Sequence, residues 1–535
     1  MTRRFLAVRR AVRWLGEYLV DCVWIDTRSL AVFRIFVGLL VVADVLLRSR
    51  NFLLYYTDGG IVPQSLAQAN TPEYAISVYY LTSDPVAIAG LFALTALVGL
   101  SLVVGYRTRV ATVLTFLLVI SLDHHNPFVT SYADTLFRLL LFWAIFLPLG
   151  ERWSVDAVHA ETTRPDWEPR ASVAGVATFL VLAQMVMMYL QNGIHKTESA
   201  LWRSGEATPL IFGIDEMTFL LGEWLGAFPT LLTYGGLLWF YMLLGSWLLI
   251  LLRGRLRFPL VVLFIGGHLS FALTVRIGAF AYVAMAGLVL FIQQPVWDDG
   301  RRLAHWLGRR FGINPIKRVP WDRFRRVART VPAFRLVPDR YRQLKPAVYT
   351  VGFGAVVIAL VLIGGVFLLN AGAVTADGYD QHQLNHEVEQ ATGGEHVYTV
   401  ARTLGVRQPE WSVFAPHPRT TDRYYVFGAT TVDGERIDVF NDRAFSWDRP
   451  EPLQAQHDTY RQRFFMNSIR RGSAGGELTR QFGEHICTVY EQEHGTELSH
   501  ISMFEVTESI TLETITDPSD REVDREHFYR HHCST

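Results

Sequence analysis

Cysteine is nearly absent: the chain has three, Cys22, Cys487 and Cys533, among 535 residues. They cannot form the paired Cys or His spacings that hold zinc, so no metal site is expected. Charge is scarce too. Asp, Glu, Lys and Arg make up 19% of the chain, below the roughly 25% usual in soluble proteins. Half of the residues are hydrophobic, and mean hydropathy is +0.19. Neither sign of charge prevails, since 50 basic residues balance 50 acidic ones, and the arginines fall in loops between apolar runs. That distribution argues against nucleic-acid binding. The chain shows no internal repeat and no long low-complexity tract, which disfavours a transporter built from paired repeats. No small-residue cleavage site follows the first apolar run, so no secretory signal peptide is expected.

Long apolar runs dominate instead. One covers residues 173–190 and continues Gln191-Asn192-Gly193-Ile194-His195-Lys196. At about 1.5 Å per residue it nearly matches a ~30 Å hydrocarbon core. Nine such spans are expected, at 29–47, 84–105, 108–122, 134–149, 173–191, 229–252, 258–275, 278–294 and 348–371. The third and fourth are short enough to be tilted or re-entrant. The fold class expected is thus a polytopic α-helical membrane bundle of about nine spans followed by a small α+β extracytoplasmic domain.

Basic residues orient the bundle. Arg3, Arg4, Arg9, Arg10, Arg13 and Arg28 precede the first span, and 14 Lys or Arg lie between Arg301 and Lys345. The opposite loops are poor in them; Arg48 and Arg50 are exceptions. The reading is a cell-membrane, multi-pass protein with a cytoplasmic basic leader at 1–28 and a membrane domain at 29–295. A basic cytoplasmic segment at 296–347 and the last span at 348–371 follow. In the basic segment Trp306, Phe311, Trp321, Phe324 and Phe334 interleave with arginines, as on a helix lying against anionic headgroups, although a solvated loop has the same composition.

From residue 372 to 535 the chain turns polar. Asp433-Gly434 suits the turn of a hairpin over 424–440. Residues 460–469 and 478–485 have helical spacing, and 501–515 can hold a strand. Outside the cell a Cys487–Cys533 disulfide is chemically permitted; two free thiols are the alternative.

Several polar groups fall at membrane depth, where they must face protein or water: Arg34, Asp44, Arg138, His268 and Arg276. Pairing of Arg34 or Arg138 with Asp134 would satisfy them, and a backbone carbonyl would satisfy His268. Asp123-His124-His125-Asn126, ahead of Asp134, is a second polar cluster: a structured turn, a metal site if the fold adds a third ligand to the adjacent histidines, or part of a site converging with Lys196 and His268. Lys196 and His195 end an apolar run. Desolvation of an ammonium favours the neutral amine, which is a base; alternatively Lys196 snorkels to the headgroups.

The order of motifs resembles a known family. Arg34-Ile35-Phe36-Val37-Gly38-Leu39, then Tyr56-Thr57-Asp58-Gly59-Gly60, Asp123-His124-His125-Asn126-Pro127, Leu147-Pro148-Leu149-Gly150, Gly193-Ile194-His195-Lys196 and His268-Leu269 are similar to the HTTM superfamily, which includes the membrane domain of vitamin K-dependent gamma-glutamyl carboxylases. The likeness covers about residues 25–295. In those carboxylases a lysine of the G-x-x-K segment deprotonates reduced vitamin K. The oxygenated quinone then removes a glutamate γ-proton, and CO2 adds. The resemblance implies Lys196 as that base and His268 as a catalytic partner. Reduced vitamin K or menaquinone with O2 and CO2 would be the reactants, and a secreted or membrane protein the substrate. One position departs: Thr130 precedes Ser131-Tyr132 where the carboxylases have histidine. His195, His124, His125, Asp123, Arg34, Arg138 and Asp134 remain candidates for lining the substrate cavity. The competing reading is a non-catalytic scaffold that binds lipid or a partner.

Overall fold

The computed structural model describes residues 13–14, 16–73, 75, 77–311, 321–333 and 394–533. The expected span at 348–371 and Phe334 lie outside them. The chain is mostly helical, and each apolar run within the described residues forms helix. Helix α1 is Thr27–Ser49, α2 Pro85–Val104, α3 Thr108–His125, α4 Tyr132–Ala144 and α5 Val176–Lys196. Helix α6 is Pro229–Leu244, α7 Phe258–Thr274 and α8 Phe280–Val289. Helix α9 is Gln294–Phe311.

Among the described residues, four segments are long and apolar enough to cross a membrane: α1, α2, α5 and the run Gly254–Thr274 that contains α7. A fifth arises if α8 and α9 count as one span, but they bend by 97°. The helices at the other expected spans are shorter. Helix α6 stops at Leu244, before a turn and a four-residue helix. Helix α4 ends at Ala144, ahead of Pro148, whose ring disfavours helix in the residue before it. Helix α9 carries no buried residue, and Trp306 and Phe311 are exposed on it.

Helices α1 and α2 approach closely because Gly38 faces Gly99. A Cβ built on Gly38 would lie 2.8 Å from the Gly99 carbonyl oxygen. Small residues of this kind let membrane helices pack backbone against backbone.

Among the described residues the C-terminal part holds a helix at Gly394–Thr403, then a five-stranded antiparallel sheet with two further helices. Strands β1 (Thr421–Thr431), β2 (Arg436–Asp438), β3 (Arg443–Ala444), β4 (Leu498–Ser509) and β5 (Val523–His532) lie in the order β3-β2-β1-β4-β5. The β1–β2 hairpin turns at Gly434, whose φ of 90° suits glycine. Helices α10 (Trp321–Thr330), α11 (Tyr460–Arg470) and α12 (Glu477–His494) complete the numbering. Helix α12 and the end of β5 are joined by the Cys487–Cys533 disulfide.

Two joints dock this domain on the bundle. At the first, Asp422 of β1 accepts the backbone N–H groups of Asp215 and Glu216 at 2.9 and 3.1 Å. Arg449 and Arg521 bridge Asp215 to Asp422. Arg419 pairs with Glu216 at 2.5 Å, and His457 lies 3.9 Å from the same carboxylate. At the second, Arg461 of α11 bonds Asp44 of α1, Asp134 of α4 and the Val129 carbonyl.

The first joint is acid-sensitive. Burial alone would raise the Glu216 pKa, but Arg419, Arg463 and His457 hold it down at about 2. Burial pushes His457 down to about 4, against the pull of Glu216. Between pH 6.5 and 4 the unfolded chain therefore takes up a proton that folded His457 refuses. Stability falls as pH falls through that window, by up to about 3 kcal/mol. Glu216 adds a further loss below pH 4.5. Thermal unfolding in detergent from pH 7.5 to 4.5 checks this: His457→Gln should flatten the upper part of the acid slope, and an unchanged slope would exclude His457 as its source.

Candidate functional site

Helix α5 places polar side chains at i, i+3 and i+7: Tyr189, Asn192 and Lys196. This spacing puts all three on one helix face. That face looks into a cavity of about 590 Å³ enclosed by α5, α6, α7 and residues 411–414 of the C-terminal part. Its walls are largely apolar, with Trp239, Phe271 and Phe280 among them, and no carboxylate lines it among the described residues. Leu231 and Leu238 of α6 and Val262 and Leu263 of α7 also line it. These four are exposed on the outer surface of the bundle, where lipid tails would lie.

Lys196 is 2% exposed. Its Nζ donates to the carbonyls of Val413 at 2.7 Å and Phe414 at 3.1 Å. It also stands 3.8 Å from the centre of the Trp202 ring, whose negative face attracts a cation. Snorkelling to the headgroups is thus replaced by an inward-turned side chain. Asn192 donates to the Trp411 and Val413 carbonyls at 2.7 and 3.0 Å, and Trp202 Nε1 to the Phe414 carbonyl at 2.9 Å. Trp411 and Phe414 take φ values of 49° and 52°, a left-handed conformation that side chains disfavour. Three donors from the membrane part therefore hold a strained turn over the lysine.

His268 of α7 lines the same cavity. Its partner is not a backbone carbonyl, as expected, but the Tyr189 hydroxyl, 2.7 Å from Nε2. The cavity has enough side chains nearby to satisfy this nitrogen without unwinding α7. Nδ1 of His268 is buried with no partner. A bound molecule with a polar group could meet it.

The remaining sequence candidates lie elsewhere. His195 is next to Lys196 but on another face, 3.8 Å from Glu198. His124 and His125 are buried at the end of α3 and do not line the cavity. His125 Nε2 lies 3.1 Å from the Tyr56 carbonyl, and its ring stacks on Tyr79. Asn126 donates to the Tyr55 carbonyl. The cluster is thus the structured turn, and it does not converge with Lys196. No group of His, Cys, Asp and Glu among the described residues could hold a metal ion.

The expected pairing of Arg34 or Arg138 with Asp134 is also corrected. Arg34 donates to the carbonyls of Leu149, Arg152 and Trp153 in the loop after α4 and to that of Val103 at the end of α2. Arg138 pairs with Asp123 at 2.9 Å. Asp134 is taken instead by Arg48 at 3.1 Å and Arg461 at 2.8 Å. Two arginines that sequence reasoning had left aside sit closer to the carboxylate.

A family model for the HTTM domain matches residues 24–297, just over half of the chain. The chain belongs to the HTTM family. The matched part of this HTTM protein supplies Tyr189, Asn192, Lys196, Trp202 and His268, while Val413 and Phe414 lie beyond it. Neither a curated protein nor a solved structure matches.

Tyr189 and Asn192 were missed in the sequence, although their spacing from Lys196 was the available signal. Asn192→Ala should leave the Trp411 carbonyl without its donor and the Val413 carbonyl with Lys196 alone. It is expected to lower stability by about 1–3 kcal/mol and to speed amide exchange across 408–416. Hydrogen exchange with mass spectrometry reads this directly, and unaltered exchange there would contradict the proposed hold on the turn.

Proposed function

We propose that the cavity binds a lipid-like molecule with a long apolar part and a small polar head, and that Lys196 acts on that head as a general base. The observation that carries this reading is that Lys196 and His268 line one apolar cavity whose wall reaches the bilayer side of α6 and α7. A reduced menaquinone or vitamin K has the required character, with ring hydroxyls and a prenyl tail. The walls suit the tail. The polar atoms of Lys196, Tyr189 and His268, including the unpartnered Nδ1, suit the hydroxyls.

The lysine's own chemistry follows from its bonds. A neutral amine has two N–H donors, which match the two carbonyls it touches, and its lone pair is left to accept a hydroxyl proton. The ammonium so formed keeps both carbonyls and the Trp202 ring face, so its charge has partners as it develops. His268, fixed by Tyr189, is placed to hydrogen-bond the other end of a polar head. When bound, the reduced quinone would supply reducing electrons and, with O2, the strong base that the resembling carboxylases use before CO2 adds. Action on a glutamate of a secreted or membrane protein is the furthest extension of this reading. The same reading has nine spans, a cytoplasmic N-terminus and an extracytoplasmic domain over 372–535.

The test uses purified protein in lipid nanodiscs with reduced menaquinone or vitamin K, O2 and a glutamate-containing peptide, followed by mass spectrometry of the quinone epoxide. Wild type should form epoxide, and Lys196→Ala should form it about 10²–10⁴-fold more slowly while unfolding at a similar temperature. Labelled CO2 then shows whether carboxylation follows. A folded wild-type protein that binds quinone and forms no epoxide would instead establish the scaffold or lipid-binding reading, with Thr130 in place of the carboxylase histidine as its sequence mark.

A further inference from the structure

A second cavity, of about 440 Å³, lies on the other side of the α7–α8 connection. Residues of one stretch alternate between the two: Ile277 and Phe280 face the first cavity, Arg276, Gly278 and Ala279 the second. This second cavity differs in kind, because charged groups of α1, α4, α11 and the α7–α8 connection line it.

Most of those charges are already matched. Asp44 pairs with Arg48 and Arg461, and Asp134 with the same two. That leaves Arg50, Arg276 and Asp458. Neither Arg50 nor Arg276 forms an ion pair among the described residues. The Arg276 guanidinium donates to the Gln454 carbonyl at 2.8 Å, and the residue lines the cavity. Asp44, Asp134 and Arg461 belong to a neutral cluster with Arg48, Asp123 and Arg138, so beside that balanced set Arg50 and Arg276 outnumber the exposed Asp458 by one positive charge. Both arginines were also anomalies of the sequence: Arg50 sits at the end of a span where basic residues are few, and Arg276 sits at membrane depth.

The rest of the lining is apolar and continues onto the bilayer face of α1. Ala43 and Leu47 line the cavity and are exposed there, with Leu40 beside them and Phe219 and Ala272 opposite. A cationic head end and an apolar flank open to lipid describe a site for an anionic amphiphile. Tyr460, packed on Gly278, closes the head end with its ring. A Cβ at Gly278 would stand 2.6 Å from that ring, so the close fit depends on glycine, whose φ here is 67°.

We propose that this cavity binds a phosphate-bearing lipid, its phosphate between Arg50 and Arg276 and its acyl chain along Ala43 and Leu47. The site is independent of the lysine cavity and of any turnover there. It would fix one lipid at the joint where α1, α4 and the C-terminal domain meet.

Native mass spectrometry from nanodiscs of mixed phosphatidylglycerol and phosphatidylcholine provides the test. Wild type should retain phosphatidylglycerol. Arg276→Gln and Arg50→Gln should each weaken its binding about tenfold or more, as expected for loss of a charged hydrogen-bonding partner. Ala43→Phe, which leaves every charge in place and points into the chain's path, should also release it. Lys196→Ala should not, which separates this site from the first. Undiminished phosphatidylglycerol in Arg276→Gln or in Ala43→Phe overturns the proposal. Displacement of the lipid by millimolar inorganic phosphate alone would also overturn it, by showing a free-phosphate site in which the chain has no part.

Discussion

Arg48 sets the geometry on which much of the molecule depends. It is 1% exposed, in the last turn of α1. A guanidinium taken out of water costs several kcal/mol unless its donors and charge are met. Here they are met from four directions: Nε by Asp44, one Nη by the Tyr56 hydroxyl, and the other by Asp123 at 2.5 Å and Asp134 at 3.1 Å. Arg138 takes the second oxygen of Asp123, and Arg461 shares Asp44 and Asp134. Three arginines and three aspartates close a neutral cluster. Removal of one member would leave a buried charge without its counterpart, which is far more damaging than replacement of the whole set by apolar groups. The cluster therefore works as a geometric constraint more than as a source of net stability. It draws the end of α1, the end of α3, the start of α4 and the start of α11 to one point.

That constraint reaches the lysine cavity through the domain it docks. Arg461 holds α11 against the bundle, and the Asp215–Asp422 joint holds β1 against the loop after Phe212. With both joints closed, the segment that leads into β1 lies across the end of α5. There the carbonyls of residues 411–414 meet Asn192, Lys196 and Trp202. The HTTM part supplies the side chains and the C-terminal part supplies the backbone acceptors, so the polar floor of the cavity is complete only when the two are docked.

The apolar runs, the β1–β2 hairpin and the two domain helices were legible in the sequence because each is a local pattern of period 3.6 or 2. Strand β5 was not: Arg525, Glu526, Arg530, His531 and His532 cover an exposed edge strand, and its apolar alternation is lost among charges. Lys196 stood out because it ends an apolar run and continues a family motif. Its cage did not, because backbone carbonyls carry no sequence signal and lie more than 200 positions away. The arginine partners failed for a related reason. Arg34, Arg48, Arg138 and Arg461 are chemically alike, and only the rotation of each helix decides which one reaches Asp134. Sequence spacing does place Tyr189, Asn192 and Lys196 on one face, but a tyrosine and an asparagine in an apolar run do not stand out as Lys196 does, and both were missed.

The lysine cage has a property that a carboxylate partner could not supply. A carboxylate would hold Lys196 as a cation and compete for any proton it gave up. Two carbonyls and a ring face stabilise the cation through dipoles that are already oriented, and they do not themselves take a proton at ordinary pH. Orientation of those dipoles depends on the left-handed turns at Trp411 and Phe414, each a strain of order 1–3 kcal/mol in a non-glycine residue. The hydrogen bonds from Asn192 and Trp202 offset that strain. The carbonyls of that backbone meet Lys196 together with Asn192 and Trp202, and an apolar residue at position 196 would fill the space while leaving the Val413 and Phe414 carbonyls to those two donors alone.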